Sequence, residues 1–186
     1  MTVFCMVELD GGTVIDASLR ALSLARGLAA GADDGPVLAA VVFGDPPVAE
    51  LAAYGVTDVY VISGIDGYAP VAWARAIAGL LGSVPHAVAA AGTDRGNEVL
   101  AHLGAITGQP MAANCTGAVD NGGALAITRQ RWAGLLIEEA VLEAPVALLT
   151  VATDAVSPVP ADEPTTVAVH AVAPTFAEDD LAMRAV

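Results

Sequence analysis

Lysine is absent from this sequence, aromatic residues are few, and no apolar run is long enough to cross a membrane. Lys and Arg together number 7, all of them arginine, against 21 Asp and Glu, so the 186 residues carry a formal charge of −14. Without lysine the protein can form neither a Schiff base nor a P-loop. The acidic balance also disfavours sequence-independent binding to nucleic acid or anionic lipid. We therefore expect no nucleic-acid partner and no membrane insertion.

Cysteine is scarce as well, which excludes a disulfide framework. Cys5 and Cys115 lack the CxxC spacing of redox and metal motifs. The first residues contain no basic stretch and reach Glu8 at once, unlike a secretory signal peptide. The apolar stretch 76–92 is interrupted by Pro85 and His86, and it falls short of the roughly 20 residues of a membrane span. These features predict a reduced, cytoplasmic setting.

What the sequence has instead is a large share of small aliphatic residues. Hydrophobic residues make up 55 % of the chain and aromatic residues 4 %. A disordered chain is poor in such residues, so disorder is excluded for most of the length. The length suits one α/β domain with a core of Ala, Val and Leu.

Apolar runs of strand length alternate four times with helical patterns in the first 108 residues. The predicted strands are Thr2–Val7, Val37–Phe43, Val59–Ile62 and Ala87–Ala91. The first predicted helix begins at Asp16, and the other three span Val48–Tyr54, Pro70–Leu81 and Gly96–Thr107. This alternation predicts a three-layer α/β fold, with a mainly parallel, Rossmann-like sheet and helices on both faces.

Beyond Gly108 the pattern changes to extended segments. Ala113–Val119 and Ala124–Gln130 flank a glycine turn and predict a late antiparallel hairpin. Leu135–Leu142 and Val146–Val151 predict further strands.

The composition changes again near Asp154, where proline and acidic residues accumulate. Such a segment is typical of a stiff, exposed linker. We therefore divide the chain into an α/β domain over residues 1–153 and a second part over 154–186. That part would contain the linker, an edge strand within Thr165–Val172 and a loose C-terminal tail.

One loop combines several features of a ligand-binding turn. It follows the fourth predicted strand, and in a parallel sheet ligands bind at the carboxyl ends of strands, near helix N-termini. Two glycines would let a ligand approach the backbone, and a hydroxyl and a guanidinium lie between them. Alternatively, Asp94 caps the helix and Arg95 neutralises it. The candidate nucleotide or phosphate site consists of Gly92, Thr93, Asp94, Arg95, Gly96 and Asn97.

No other group of residues predicts catalysis. His86, His102 and His170 have no i,i+3 or i,i+4 spacing, and no Cys/His cluster exists, so we expect no metal site. The sequence also lacks a G-x-S-x-G nucleophile motif. We therefore expect a protein without its own catalytic site.

A cluster of arginine and tryptophan predicts a contact surface. Arg129, Arg131 and Trp132 bring together two of the seven cations and one of the two tryptophans. Arg and Trp are enriched at interface hot spots. An arginine that pairs with Glu138 or Glu139 inside the hairpin is the alternative explanation.

Several segments together resemble a known family. They are Val3-Phe-Cys-Met-Val-Glu8, the helix end Ala25-Arg26-Gly27-Leu28-Ala29, Gly55-Val-Thr-Asp-Val-Tyr-Val61, Thr93-Asp-Arg-Gly96, Leu103-Gly-Ala-Ile-Thr-Gly108, Met111-Ala-Ala-Asn-Cys-Thr116, and Thr128-Arg129 with Ala133-Gly134. In order and spacing they resemble the N-terminal domain of the electron transfer flavoprotein alpha subunit, over about residues 1–172. The resemblance also implies a fold like that of the adenine nucleotide alpha hydrolases. The chain departs from the family at Leu135, where an asparagine usually follows Ala133-Gly134.

The resemblance implies an electron carrier, not an enzyme. In this family a second domain holds FAD, and we expect the chain to end near the linker leading into it. The chain would then be the scaffold half of a split alpha subunit. A beta-like subunit and a separate FAD-domain chain would be its partners, FAD would be held by a partner, and AMP could lie in the complex. No cofactor is expected on this chain alone. The alternatives are a stand-alone adenine-nucleotide-binding module using 92–97 and a non-redox interaction subunit.

Overall fold

The computed structural model describes residues 1–30, 37–83 and 85–182. The strands are β1 (Thr2–Val7), β2 (Leu9–Asp10), β3 (Thr13–Val14), β4 (Val37–Phe43), β5 (Asp58–Ile62), β6 (Ala87–Ala91), β7 (Met111–Asp120), β8 (Ala124–Arg131), β9 (Leu136–Glu143), β10 (Ala147–Val151) and β11 (Ala168–Val172). The helices are α1 (Asp16–Ala30), α2 (Val48–Ala53), α3 (Pro70–Leu80), α4 (Asp94–Thr107) and α5 (Glu178–Leu181), with a 3₁₀ turn at Leu81–Ser83.

Nine of these strands form one sheet in the order β11-β5-β4-β1-β6-β10-β7-β8-β9. Pairing is parallel from β11 to β7 and antiparallel for β7 with β8 and β8 with β9. The predicted α/β class, the mainly parallel sheet and the late hairpin are therefore confirmed. Strands β2 and β3 form a small separate hairpin between β1 and α1.

Each face of the sheet has its own core. On one face Leu22, Leu28 and Leu51 pack against one set of alternating strand residues, which places α1 and α2 there. On the other face Ile77 and Leu100 pack against the alternate set, which places α3 and α4 there. Buried on both sides, the central strands are continuously apolar, as parallel strands are. Their small side chains allow the helices to approach the sheet closely.

Segment 154–172 lies against the domain more extensively than a linker would. Its carbonyl groups accept hydrogen bonds from two arginines of α1, at Val156 (2.7 Å from Arg20) and Pro160 (3.2 Å from Arg26). Ala161 N donates to Ala53 O over 2.8 Å. The segment then continues into β11, the edge strand expected within Thr165–Val172.

The tail is also anchored within the described residues. In α5, Asp180 is buried and accepts a hydrogen bond from Arg75 Nε of α3 over 2.7 Å. The sequence predicts a loose tail because contacts between distant segments leave no local pattern. Residues 183–186 of that tail lie outside the described residues. None of the described helices is both long and apolar enough to cross a membrane.

Candidate functional site

The candidate site lies where the strand order reverses. From β1 the chain moves to β4 and then β5 on one side, and it later returns to β6 on the other side of β1. The loops after β1 and β6 therefore meet at the carboxyl edge of the sheet. In open α/β sheets this crevice is where ligands bind. The loop Gly92–Asn97 occupies it.

Thr93 caps helix α4. Its Oγ1 accepts a hydrogen bond from Gly96 N over 2.9 Å and donates one to Glu8 Oε1 over 2.5 Å. Asp94 is the first helical residue and is exposed. The loop does cap the helix, as in the capping alternative, but the capping residue is Thr93 and not Asp94. Asp94 is already the first helical residue, one position after the cap. The helix accordingly starts two residues before the predicted Gly96.

The two glycines of this loop bring parts of the chain close together. A Cβ on Gly96 would lie 1.9 Å from Ala91 O, and one on Gly92 would lie 2.7 Å from Val151 O. Gly92 N also donates a hydrogen bond to Val151 O over 2.7 Å. Contacts within the protein therefore explain why both positions are glycine. From the sequence alone, the close approach of a ligand was another explanation.

Asn97 is linked to the hairpin side of the site through Thr150. Thr150 Oγ1 donates to Asn97 Oδ1 over 2.8 Å and accepts a hydrogen bond from Asn114 N over 3.0 Å. Asn114 has φ 57° at a register shift between β7 and β10. Sequence reasoning missed this bridge. The signal for it was one hydroxyl, Thr150, inside the otherwise apolar β10.

One side of the site is a cavity of about 470 Å³, which we call the switch-point cavity. Glu8 lines it and is only 5 % exposed. Burial raises the pKa of Glu8, and the hydrogen bond from Thr93 and the charge of Arg95 partly oppose this rise. The buried carboxyl therefore lacks full compensation for its charge.

An aromatic cluster forms another wall of this cavity. Phe43 stacks on Trp73 with centroids 3.9 Å apart, and Tyr68 meets Trp73 edge-on at 5.3 Å. The Arg95 guanidinium carbon lies 5.1 Å from the centroid of Tyr68, a cation–π contact. The Trp73 indole nitrogen is buried without a hydrogen-bond partner among the described residues. The part of Trp73 that lines the cavity is therefore the ring and not the N–H group.

A second cavity, of about 450 Å³, lies under the tip of the β8–β9 hairpin; we call it the hairpin cavity. Arg131 and Trp132 line it together with Asn114 and Asp154. Trp132 is 75 % exposed and has φ 52°, an unusual conformation for an aromatic residue. Two predicted contact residues thus lie at the same edge of the sheet as the loop Gly92–Asn97.

Arg129 takes part in an internal ion pair. Its Nε lies 2.9 Å from Glu138 Oε2, and Arg131 Nε lies 3.7 Å from the same oxygen. The hydrogen bond from Arg129 holds the pKa of Glu138 below its usual value. The internal explanation therefore accounts for Arg129. Arg131 and Trp132 remain candidates for contact with a partner.

Strands β7, β8 and β9 form an arm with one uncovered face. Leu125 and Leu142 face inward and pack on the core. On the opposite face, Val119, Ile137 and Val141 are each more than 60 % exposed. We call this the outer face of the arm. An exposed apolar surface on an edge strand indicates an interaction site.

Two features of this edge disfavour the pyrophosphate of a dinucleotide. The amides of Gly92 and Gly96 already bond within the chain, and Glu8 and Asp45 bring negative charge to the same edge. No group of three or more His, Cys, Asp or Glu among them could hold a metal ion. This edge offers contact surfaces and two cavities, but no described nucleophile–base pair.

Residues 3–177 match the family model described as electron transfer flavoprotein domain. No curated protein matches the chain.

Proposed function

The chain belongs to the electron transfer flavoprotein domain family, and from this premise we propose that it is an alpha-subunit-type scaffold. It would be half of a split subunit and would support electron transfer from flavin dehydrogenases through an FAD held by a partner. Members of this family are electron carriers rather than catalytic enzymes. The proposal gives this chain a positioning role and no chemical step.

The observation that carries the proposal is the uncovered outer face of the arm. It is apolar at Val119, Ile137 and Val141, next to the exposed Trp132 at the hairpin tip. Burial of such a surface against a partner is favourable by roughly 25 cal/mol per Å² of apolar area removed from water. Tryptophan and arginine at its end are the residue types of interface hot spots.

The placement of FAD in a partner is supported by the chemistry of the candidate site. In the loop that could meet a pyrophosphate, the amides of Gly96 and Gly92 donate instead to Thr93 and Val151. The cavities of about 470 and 450 Å³ are separate and open. We propose a beta-like subunit and a separate FAD-domain chain as partners, with AMP, where present, held in the complex. The two free, buried cysteines are compatible with a cytoplasmic location, which we also propose.

Visible absorbance tests where the flavin resides. The chain is purified alone and after co-expression with candidate flavoprotein subunits encoded beside it. We expect a colourless chain alone and a yellow complex that elutes as one species in gel filtration. Flavin bands in the chain alone would contradict the placement of FAD in a partner. A stable but colourless complex would favour a non-redox interaction subunit.

Calorimetry with AMP and ATP tests the alternative of a nucleotide-binding module. We expect no micromolar binding to the isolated chain, because the amides of Gly92, Gly96 and Asn97 bond within the chain and the loop lies beside carboxylates. Micromolar affinity, lost in Arg95→Ala, would support a stand-alone nucleotide-binding module over the scaffold role.

Mutation at the hairpin tip tests the surface. The double variant Arg131→Ala/Trp132→Ala removes two exposed side chains, so we expect unchanged thermal stability and loss of co-elution with the partner. Val169→Ala, at a half-exposed position on β11 at the opposite edge of the sheet, serves as the control. A complex that survives the double variant would show that the tip does not bind the partner.

A further inference from the structure

The switch-point cavity has its own chemistry, apart from the proposed partner surface. It lies at the carboxyl ends of β1, β4 and β5, and Arg95 reaches it from the start of α4. Its volume of about 470 Å³ is within the usual range for small-molecule sites. Apolar walls and a few converging polar groups are also typical of such sites.

The charged groups of this cavity favour a cation. Glu8 and Asp45 contribute carboxyl groups, and Arg95 is the single basic residue among the described lining residues. The guanidinium of Arg95 already lies over Tyr68. The lining therefore keeps an excess of negative charge, and the −14 charge of the whole chain adds to it. An anionic ligand such as a nucleotide would be repelled.

The aromatic wall favours the same class of ligand. Aromatic faces carry negative potential and attract ammonium and guanidinium groups within about 6 Å. Tyr68 already holds one such cation, Arg95, at 5.1 Å. Phe43 is half-buried, with one face on Trp73 and its other surface near the cavity. The cavity thus offers carboxylates for a charge and apolar surface for a body.

We propose that the switch-point cavity binds a small organic monocation, an ammonium or guanidinium group on an apolar body. Glu8 and Asp45 bind the charged group, and Phe43, Tyr68 and Trp73 contact the body. A bound cation stabilises the charge of Glu8 most, since Glu8 is a buried carboxyl with no described ion-pair partner at salt-bridge distance. The proposal does not depend on the scaffold function, and either can fail without the other.

Tryptophan fluorescence provides a direct test. Trp73 and Trp132 are the two tryptophans of the chain, so the variant Trp132→Phe leaves Trp73 as the reporter of this cavity. The probe is benzylammonium, and the comparison ligands are benzyl alcohol, phenylacetate and AMP. We expect saturable binding of benzylammonium in the millimolar range or tighter, and binding of benzyl alcohol at least about tenfold weaker. Phenylacetate and AMP are expected not to bind.

Two neutral variants identify the groups that bind the charge. In the Trp132→Phe background, Glu8→Gln and Asp45→Asn should each weaken benzylammonium binding by about tenfold. Glu8→Gln keeps an oxygen that can accept the hydrogen bond from Thr93, and circular dichroism verifies that it is folded. Asp154→Asn removes a carboxylate from the hairpin cavity and should leave the affinity unchanged.

Several results would overturn the proposal. Equal affinity for benzyl alcohol would show a merely apolar cavity, and tighter binding of AMP would show a nucleotide site. Absence of benzylammonium binding, or an equal effect of Asp154→Asn, would show that these carboxyl groups do not select a cation.

Discussion

Gly96 lies where the start of α4 crosses the end of β6. A Cβ there would lie 1.9 Å from Ala91 O, a backbone atom that cannot move aside like a flexible side chain. We predict that Gly96→Ala lowers the free energy of unfolding by about 3 kcal/mol or more, at the upper end of overpacking costs. Urea denaturation measures the change.

Gly79 in α3 is the matched control, since a Cβ there would meet nothing within 4 Å. Gly79→Ala should raise the free energy of unfolding by up to about 1 kcal/mol, because alanine favours the helix. If both substitutions had the same effect, the close approach at Gly96 would not be the reason for its glycine.

Glu8 makes the stability of the protein depend on pH. Burial raises its pKa in the folded state above the ordinary 4.5, so between the unfolded and folded values the folded state binds more protons. The free energy of unfolding contributed by this group then falls as pH rises through that window. We predict that Glu8→Gln removes this loss, so its stability relative to the parent grows as the pH rises above about 4.5.

Urea denaturation at a series of pH values measures this difference. Glu139→Gln, an exposed carboxyl on β9, is the control for removing one negative charge. A stability difference between Glu8→Gln and the parent that did not change with pH would contradict the prediction.

At the scale of elements, the arm differs from the rest of the sheet. Its inner face packs on the core, but the described helices leave the outer face exposed, and Ile137 and Val141 are 62 % and 64 % exposed. We predict that Ile137→Thr/Val141→Thr changes stability by less than about 0.5 kcal/mol, as surface substitutions do. The same variant should lose the partner complex in gel filtration.

Val169→Thr tests whether this effect is specific to the arm. Val169 is 52 % exposed on β11, the opposite edge of the same sheet. The Val169→Thr variant should bind the partner as the parent protein does. Loss of the complex in this variant, or its survival in the arm variant, would place the interface elsewhere.

The boundaries of the strands and helices also show how much of the structure local sequence predicts. The strand over Thr2–Val7 and the strand over Val37–Phe43 lie as predicted, because each is a continuous apolar run bounded by polar or turn residues. The sequence predicts the start of α4 at Gly96, two residues too late, because a glycine is typical of a helix boundary. The Gly96 position is instead set by contact with β6, which no local pattern reveals.

At the scale of the whole molecule, net charge opposes self-association. Two copies with a charge of −14 repel each other at neutral pH, despite the apolar outer face of the arm. We predict a monomer at neutral pH and low salt, and association as the pH approaches the isoelectric point of about 4.2. Light scattering along a pH titration measures this.

The Ile137→Thr/Val141→Thr variant separates charge from surface in that titration. It should associate less than the parent near the isoelectric point, because the apolar contact is reduced and the net charge is unchanged. A parent protein that is already a stable dimer at neutral pH and low salt would contradict the prediction.

The sequence by itself determined the α/β class, the four strand–helix units, the late hairpin and the family. These follow from hydrophobic periodicity and from the order of local motifs, which adjacent residues carry. Tertiary structure alone decided that Glu8 meets Thr93, that Thr150 joins Asn97 to Asn114, and that Asp180 anchors the tail on Arg75. It also built the switch-point cavity from four separate loops. Such contacts join residues far apart in the chain, and only the sheet order, set by burial on both faces, brings them together.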